Sequence, residues 1–306
     1  MPKSFKEKIW PEWNFEKHCT NILPEKVHTM EDLGHENDKT FAITAPFCVL
    51  TDEAIQIARD IILHDEKVRK HCKFNACDHE MTDNSYAFRN ICGINNFFQG
   101  MLTCPKFEDY LQRSCHTKEI SLWDISWLKG HANVQEGKES QEIPNVAWHY
   151  DKAMFAMLIN ISEMPENPKG GGTLAKTKDG KIVPFVYTKP GDSVIIRGSR
   201  VQHCGLGAEN YNKIILAPGL GNNDVRVPDT NNDFNKMHWD NSDPIDFMKQ
   251  WTGHRLRRIE AQLEILKSNP NDRELLENML LENKCMKDGF ELFYGGITPK
   301  DSPWIR

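Results

Sequence analysis

Residues 146–159 read VAWHYDKAMFAMLI, so that apolar runs flank the triplet His149-Tyr150-Asp151 on both sides. Both flanking runs have the character of β-strands. Side chains two positions apart on a strand point to the same face, so His149 and Asp151 can reach one metal ion together. Taken alone, the triplet fits a chance arrangement of structural residues equally well. The metal interpretation therefore needs support from elsewhere in the chain.

That support comes from His203, which follows the aspartate by 52 residues, and from Lys213, ten residues further on. Two imidazoles and one carboxylate leave half of an octahedral metal ion open, and this ligand set is diagnostic for non-haem Fe(II) oxygenases. A lysine nearby offers a fixed cation to an acidic co-substrate. We therefore expect His149, Asp151 and His203 to bind one ion, with Lys213 as the anchor of the co-substrate.

The surrounding sequence predicts a β-rich core. Between residues 120 and 220 the chain consists of short apolar or β-branched runs separated by Pro, Gly, Asn and Asp. Lys169–Thr173 contains three glycines and permits a tight turn, and Pro190-Gly191-Asp192 turns into the buried run Ser193–Ile196. Strands at this spacing are typical of a β-sandwich or jelly roll. No Lys-Ser/Thr follows the glycine run, so it is a turn and not a phosphate cradle.

Taken in order, these residues resemble the Fe(II)/2-oxoglutarate-dependent dioxygenase superfamily, whose core is a double-stranded β-helix (jelly roll). The shared marks are the His-x-Asp pair, the Gly-Gly-Thr turn, the Pro-Gly-Asp turn, the distal histidine and the basic residue after it, and they lie in residues 120–220. The resemblance implies that His149, Asp151 and His203 bind Fe(II). It also implies that Lys213 pairs with the distal carboxylate of 2-oxoglutarate, as in the lysine-anchored prolyl 4-hydroxylases, and that O2 is consumed.

Helices are expected on both sides of this core. Residues 1–40 indicate an irregular lead-in, residues 41–50 a strand, and Thr51 the N-cap of a helix that runs to about Leu63. A second helical segment is expected over residues 97–113.

Near the C-terminus, apolar residues at spacings of three and four predict a helical hairpin over residues 245–288, broken at Ser268–Asn271. The expected fold is mainly β with flanking helices: a jelly-roll dioxygenase domain with a helical N-terminal part over residues 1–244. A C-terminal helical extension over residues 245–306 packs on it.

Composition restricts the partners. The 306 residues carry a net charge of −6, which gives no overall basic footprint for nucleic acid. Nucleic-acid demethylases of the superfamily also carry Arg in place of Lys213 and a second Arg in place of Gly219. The nine cysteines lack paired spacing, the first residues resemble no secretory signal, and no apolar run reaches the ~18 residues of a membrane span. We expect a cytoplasmic enzyme with a small-molecule substrate, without nucleic-acid or membrane partners; its oligomeric state stays open.

Several further residues are candidates for substrate contacts. Arg197 and Arg200 precede His203 and are candidates for binding a substrate carboxylate, with a surface role as the alternative. Trp127 and Asn133 precede the metal pair on an expected strand and are candidates for lining the pocket, with core or loop packing as the alternative. Arg89 is a more remote candidate for such a contact, with a surface role as the default, because nothing in its spacing relates it to the metal ligands.

A second metal site is not expected. The run HCKFNACDH at residues 71–79 superficially resembles a zinc cluster. No second ligand pair follows at the distance found in zinc fingers, so a solvated loop is the better interpretation.

The resulting hypothesis is oxidation of a C–H bond in a small, carboxylate-bearing or amino-acid-derived metabolite, in natural-product biosynthesis, with release of succinate and CO2. Hydroxylation is the default outcome, and desaturation or oxidative cyclisation stays open. The alternatives are a prolyl-hydroxylase-like enzyme that modifies protein side chains, a cupin-like metalloenzyme that does not use 2-oxoglutarate, and a non-catalytic β-sandwich binding module.

Overall fold

The computed structural model describes residues 9–75, 85–137, 144–151, 153–227, 229 and 244–296. Its α-helices are α1 (Phe15–His18), α2 (Asp52–His64), α3 (Glu66–His71), α4 (Ile91–Ile94), α5 (Asn96–Met101), α6 (Pro105–Ser114), α7 (Ser126–Lys129), α8 (Pro244–Ser268) and α9 (Arg273–Gly296). Its strands are β1 (Val27–Thr29), β2 (Phe41–Thr44), β3 (Phe47–Cys48), β4 (Lys73–Asn75), β5 (Ser85–Phe88), β6 (Ile120–Leu122), β7 (Ala132–Gln135), β8 (Pro144–His149), β9 (Phe155–Asn160), β10 (Lys169–Gly170), β11 (Thr173–Lys176), β12 (Ile182–Phe185), β13 (Asp192–Ile196), β14 (His203–Leu206), β15 (Ala208–Glu209), β16 (Lys213–Leu216) and β17 (Gly219–Asn222).

The strands form two main sheets. The large sheet has the order β1-β2-β13-β9-β16-β7-β5-β4, with β3, β17 and β6 branching from it, and the small sheet has the order β12-β11-β14-β8. From β7 to β16 the chain passes back and forth between the two sheets, and neighbouring strands are antiparallel. This alternation is that of a double-stranded β-helix. The predicted mainly β, jelly-roll fold with flanking helices is therefore confirmed.

Two apolar cores lie on opposite faces of the large sheet. The interior core lies between the sheets, where Val194 and Ile215 of the large sheet pack with Ala175 and Phe185 of the small sheet. The outer core lies between the large sheet and helices α2, α5 and α6. Because both faces of the large sheet are buried, its central strands are apolar at consecutive positions and do not alternate with polar residues.

The N-terminal half differs from the sequence prediction at two prolines. The strand expected over residues 41–50 is two strands, β2 and β3, separated at Pro46, which has no N–H to donate to a ladder. The helix expected over residues 97–113 is also two helices, because Pro105 begins α6 as a separate element. Thr51 caps α2 as predicted, accepting a backbone hydrogen bond in the first turn. The lead-in is less irregular than expected, since β1 joins the edge of the large sheet.

The predicted C-terminal helical pair is present as α8 and α9, which are longer than the expected hairpin. Phe247, Met248 and Trp251 of α8 pack on Ile125 and Trp127 of the β-rich part. No helix among the described residues combines the length and the apolar character that a bilayer crossing requires.

A buried ion pair joins these two helices. Arg258 of α8 donates to Oε1 of Glu282 on α9 at 2.9 and 2.8 Å, and the Glu282 side chain is fully buried. Arg258 also donates to the carbonyl of Val227 at 2.6 Å, and Gln262 donates to that of Val225 at 2.9 Å. The helical pair thereby holds the segment of chain that follows β17.

A histidine ties the same helix to two other segments. His254 of α8 lies between Oδ1 of Asp124 at 2.6 Å and Oδ2 of Asp229 at 2.8 Å. Burial lowers the pKa of His254, but the two carboxylates outweigh burial, so the pKa is raised overall. The imidazole therefore favours its charged form in this position.

Candidate metal centre

The register of the small sheet brings the two predicted histidine ligands together. His149 is the last residue of β8 and His203 the first of β14, and the two are directly paired across the antiparallel ladder. Directly paired residues share a face, and the two ring centroids are 4.3 Å apart. Asp151 follows β8, and its backbone N–H donates to the carbonyl of Gly198, on the loop before β14, at 2.9 Å.

Backbone carbonyls orient both imidazoles. Nδ1 of His149 is 2.7 Å from the carbonyl of Ala147, and Nδ1 of His203 is 2.9 Å from that of Val201. A ring nitrogen that faces a carbonyl is assigned the proton, so Nε2 of each ring keeps its lone pair. The two Nε2 atoms lie 3.4 and 3.5 Å from the carboxylate oxygens of Asp151. Metal-binding histidines are oriented in this way.

Asp151 has an unsatisfied atom at the centre of this group. Its Oδ2 is buried and meets no hydrogen-bond donor among the described residues. Burial raises the pKa of Asp151, but His203 and His149, which attract the carboxylate when they are protonated, outweigh burial and lower the pKa overall. One ligand atom from each of the three residues lies within 4.8 Å of the others. A buried carboxylate oxygen without a donor, beside two imidazole nitrogens, is an arrangement that a divalent cation satisfies, so these residues fit a metal ion.

Gly198 provides the space that the Asp151 carboxylate occupies. A Cβ atom added at Gly198 would lie 1.9 Å from Oδ2 of Asp151, far inside any van der Waals contact. The carboxylate position and a side chain at residue 198 are therefore incompatible.

Lys213, the first residue of β16, reaches from the large sheet toward the small sheet. Its Nζ donates to the carbonyl of Leu206 at 2.5 Å and to that of Gly172 at 3.4 Å. Leu206 is the last residue of β14, the strand that His203 begins. Lys213 is only 4% exposed, and burial lowers its pKa to about 7. An anion bound beside Nζ would raise that pKa again.

Asn133 faces the interior of the sandwich. It is paired with Ile215, a residue of the interior core, so both side chains are on the same face of the large sheet. Its Oδ1 is 2.8 Å from Nε2 of His131. The structure therefore places Asn133 on the same interior face as Lys213.

The other three substrate candidates make contacts elsewhere. Arg197 lies with its guanidinium 4.8 Å from the ring of Phe155 in the outer core, and it forms an ion pair with Glu119. Arg200 pairs with Asp38 at 2.7 Å on the surface. These contacts account for both arginines without a substrate, and a substrate role for either stays a prediction that they do not support.

Trp127 does not lie on the expected strand. It belongs to the short helix α7, and its Nε1 donates to Asp246 of α8 at 3.1 Å. Its ring packs edge-on against Phe247. A pocket-lining role stays a prediction, and the contacts seen here hold the helical pair.

The structure describes only part of the run at residues 71–79. His71 ends α3 and Cys72 is buried, whereas Cys77 and His79 lie outside the described residues. Within the described residues, the triad of His149, Asp151 and His203 is the one group of three potential metal ligands that converge.

Two features of the site were not predicted from the sequence, apart from Asn133, which was already a candidate. Gly198 gave no signal, since one glycine in a loop has many explanations. Residues 131–135 (HANVQ) did give one, because polar His131, Asn133 and Gln135 alternate with apolar residues at the period of a strand. That alternation predicts a shared polar face, which the structure shows to be the interior one.

No family model matches the chain, and no curated protein matches it. The chain is similar to solved structures of oxygenases. An oxidoreductase of the 2OG-Fe(II) oxygenase family from Burkholderia pseudomallei is 11% identical with a TM-score of 0.41, over 65% of this chain and 93% of that one. A full-length protein from Neurospora crassa, solved in complex with alpha-KG, is 10% identical with a TM-score of 0.35, over 56% and 71%. IDO from Bacillus thuringiensis is 17% identical with a TM-score of 0.25, over 30% of this chain and 43% of that one, so the match spans less than half of that protein.

Proposed function

We propose that the protein is an Fe(II)/2-oxoglutarate-dependent dioxygenase that oxidises a C–H bond of a small molecule and releases succinate and CO2. The observation that carries this proposal is the convergence of His149, Asp151 and His203, whose ligand atoms lie within 4.8 Å of one another. Two imidazoles and one carboxylate suit Fe(II) and leave three positions of an octahedral ion open.

His149 and His203 would hold the ion through Nε2, and Asp151 through its carboxylate. When bound, iron with its keto-acid co-substrate supplies the O2 chemistry that an unactivated C–H bond requires. The chain itself holds the ligand atoms in place. Carbonyls fix both imidazoles, the β8–β14 register sets their spacing, and Gly198 admits the carboxylate.

The position of Lys213 supports a dicarboxylate co-substrate. Its Nζ contacts Leu206, three residues along β14 from His203, which is about 10 Å at ~3.3 Å per residue. The terminal carboxyl carbons of 2-oxoglutarate are about 5 Å apart across four C–C bonds of ~1.5 Å. Contacts of about 2 Å to the metal and about 2.8 Å to an ammonium complete that span. These lengths sum to roughly the length of the β14 segment between His203 and Leu206, so a five-carbon keto diacid fits the separation in scale.

The substrate that we propose is a small carboxylate-bearing or amino-acid-derived metabolite, and the reaction is hydroxylation, desaturation or ring closure. Its setting, a natural-product pathway in the cytoplasm, is a prediction from sequence alone, and fractionation of the source cells would test the location. Product analysis by mass spectrometry separates the three reactions, since hydroxylation adds one oxygen atom and the other two remove two hydrogens.

Anaerobic titration tests the iron and keto-acid parts together. Metal-free protein receives Fe(II) and then 2-oxoglutarate, and the weak visible charge-transfer band of the chelated keto acid is recorded. We expect the band at one equivalent of iron and its loss in Asp151→Ala. Lys213→Met should still bind iron but need about 10–100 times more 2-oxoglutarate, because an ammonium–carboxylate contact is lost. Succinate formed after admission of air measures turnover.

The matched control is Arg113→Gln, a change at an exposed arginine that pairs with Asp109 on α6. It should leave the band and the succinate yield unchanged. A wild-type protein with neither band nor succinate would favour the non-catalytic binding module. Oxidation that persists without 2-oxoglutarate and is unaffected by Lys213→Met would indicate a cupin-like metalloenzyme.

A further inference from the structure

The interior face of the large sheet carries successive rows of paired side chains. In the first row, Lys213 of β16 is paired with Gln135 of β7. In the second row, Ile215 is paired with Asn133, and Asn133 with Ala87 of β5. Paired residues share a face, and Ile215 belongs to the interior core, so both rows face the small sheet.

The third row consists of Ala217, His131 and Arg89. His131 and Arg89 lie one residue beyond β7 and β5. The β16–β7 ladder continues there, because the N–H of Ala217 donates to the carbonyl of His131 at 2.9 Å, and Arg89 adjoins the last β5–β7 pair, Phe88 with Ala132. Side chains two apart on a strand share a face, so this row follows the first two on the interior face. It is the row furthest from the co-substrate anchor Lys213.

The charge of the metal-ligand candidate Asp151 reaches the third row. Burial lowers the pKa of His131 well below its ordinary value, the positive charge of Arg89 lowers it further, and the negative charge of Asp151 acts in the opposite sense. His131 therefore lies within electrostatic reach of both charges. Its Nε2 is 2.8 Å from Oδ1 of Asn133, which fixes the ring between the second and third rows.

We infer that Arg89, supported by His131 and Asn133, binds the carboxylate of the primary substrate. The inference rests on the proposed function, in which 2-oxoglutarate spans from the metal to Lys213. The primary substrate then has to approach the metal from the other end of the interior face, where the third row lies. A guanidinium presents a planar pair of N–H donors that matches a carboxylate. A carboxylate held there would determine which C–H bond of the substrate faces the metal.

The third row combines a cation with small neighbours. Ala217 ends one side of the row, and Ala87 lies two residues before Arg89 in the second row, so two positions near the arginine carry side chains of low volume. Because a guanidinium attracts a carboxylate more strongly than an uncharged carboxamide group, the predicted selectivity is for acids over the corresponding amides.

The test uses the anaerobic complex of the full chain with Fe(II) and 2-oxoglutarate. The probes are the twenty standard L-amino acids and the corresponding L-amino acid amides, and the readout is the shift of the visible band when a probe binds. In the wild type, an acid that shifts the band should bind about 10–100 times more tightly than its amide. In Arg89→Gln this preference should disappear, while the affinities for iron and 2-oxoglutarate stay unchanged. Arg89→Lys should keep part of the preference, and Arg113→Gln all of it.

Several outcomes would overturn the inference. One is an acid preference that is the same in Arg89→Gln and the wild type, and another is a wild-type band that none of the acids shifts. If Arg89→Gln requires more 2-oxoglutarate to form the band, the arginine binds the co-substrate instead, and the inference is wrong while the proposed function stands. If Arg89→Gln does not fold, as judged by its unfolding transition, the same comparison is made with Arg89→Lys and Asn133→Ala, which should each lower the acid preference. A wild type without any band refutes the proposed function itself.

Discussion

Replacing Gly198 by alanine should weaken the binding of the metal ion while the protein still folds. The added Cβ would lie 1.9 Å from Oδ2 of Asp151, whereas real Cβ contacts stay beyond 3.0 Å, so the carboxylate has to move by about 1.1 Å or more. Metal–ligand distances tolerate shifts of about 0.2 Å. The displacement therefore takes the carboxylate out of reach of an ion held by the two histidines. We expect the affinity for Fe(II) to fall about 10–100-fold, the range seen when groups that position metal ligands are mutated.

The assay is anaerobic competition for Fe(II) against a chromophoric chelator, combined with urea unfolding of the metal-free protein. Gly253→Ala is the matched control: it lies within α8, and its Cβ would meet only the flexible end of Arg257 at 3.3 Å. That change should leave the iron affinity unaltered and raise the free energy of unfolding by up to about 1 kcal/mol, because alanine favours a helix. An iron affinity of Gly198→Ala within threefold of the wild type would refute the role assigned to Gly198.

Three further outcomes are expected. Affinity for 2-oxoglutarate should fall by up to about tenfold per pH unit above pH 7, because Lys213, with its pKa of about 7, must then take up a proton when the anion binds. Titrations of the visible band from pH 6.5 to 9 measure this pH dependence, which should be absent in Lys213→Met. The wild type should exceed His254→Gln in free energy of unfolding by about 1–3 kcal/mol near pH 6 and by less at pH 9, since a group with a raised pKa loses its stabilisation as the pH rises through that pKa. Urea unfolding at both pH values measures the two differences, and equal differences would contradict the prediction. Glu282→Gln should lower the free energy of unfolding by about 3 kcal/mol, because Arg258 stays buried without its charged partner; a loss under 1 kcal/mol in the same assay contradicts this.

The three ligands were predictable because chemistry restricts their types and their order. His149 and Asp151 lie two residues apart at the end of a strand, and the turns before His203 indicate strands that return to the same region. The register that pairs His203 directly with His149 was not predictable, since it depends on how β14 aligns beside β8. The jelly roll followed from the density of short strands, whereas Pro46 and Pro105 divided elements that hydrophobic patterns alone make continuous.

Side-chain direction was least predictable on strands that are buried on both faces. The run Asp192–Ile196 is buried at every position, so no polar alternation shows which way the following Arg197 points. The structure turns it to the outer core, beside Phe155. By contrast, the segment at residues 131–135 does alternate, but alternation defines only a common face. The direction of that face depends on how β7 pairs with β16 and β5. Pairing between segments that are distant in the chain cannot be read from the local sequence.

The direct pairing of His149 with His203 has a consequence for the lifetime of the protein in the cell. An ion bound to both residues would link the two ends of the segment from His149 to His203, and closing a loop of that length removes conformational freedom from the unfolded chain. Ligands that bind only the folded form stabilise it in proportion to the logarithm of their concentration. Iron scarcity would then fray the β8–β14 edge, and proteases would shorten the lifetime of the protein when its metal is in short supply.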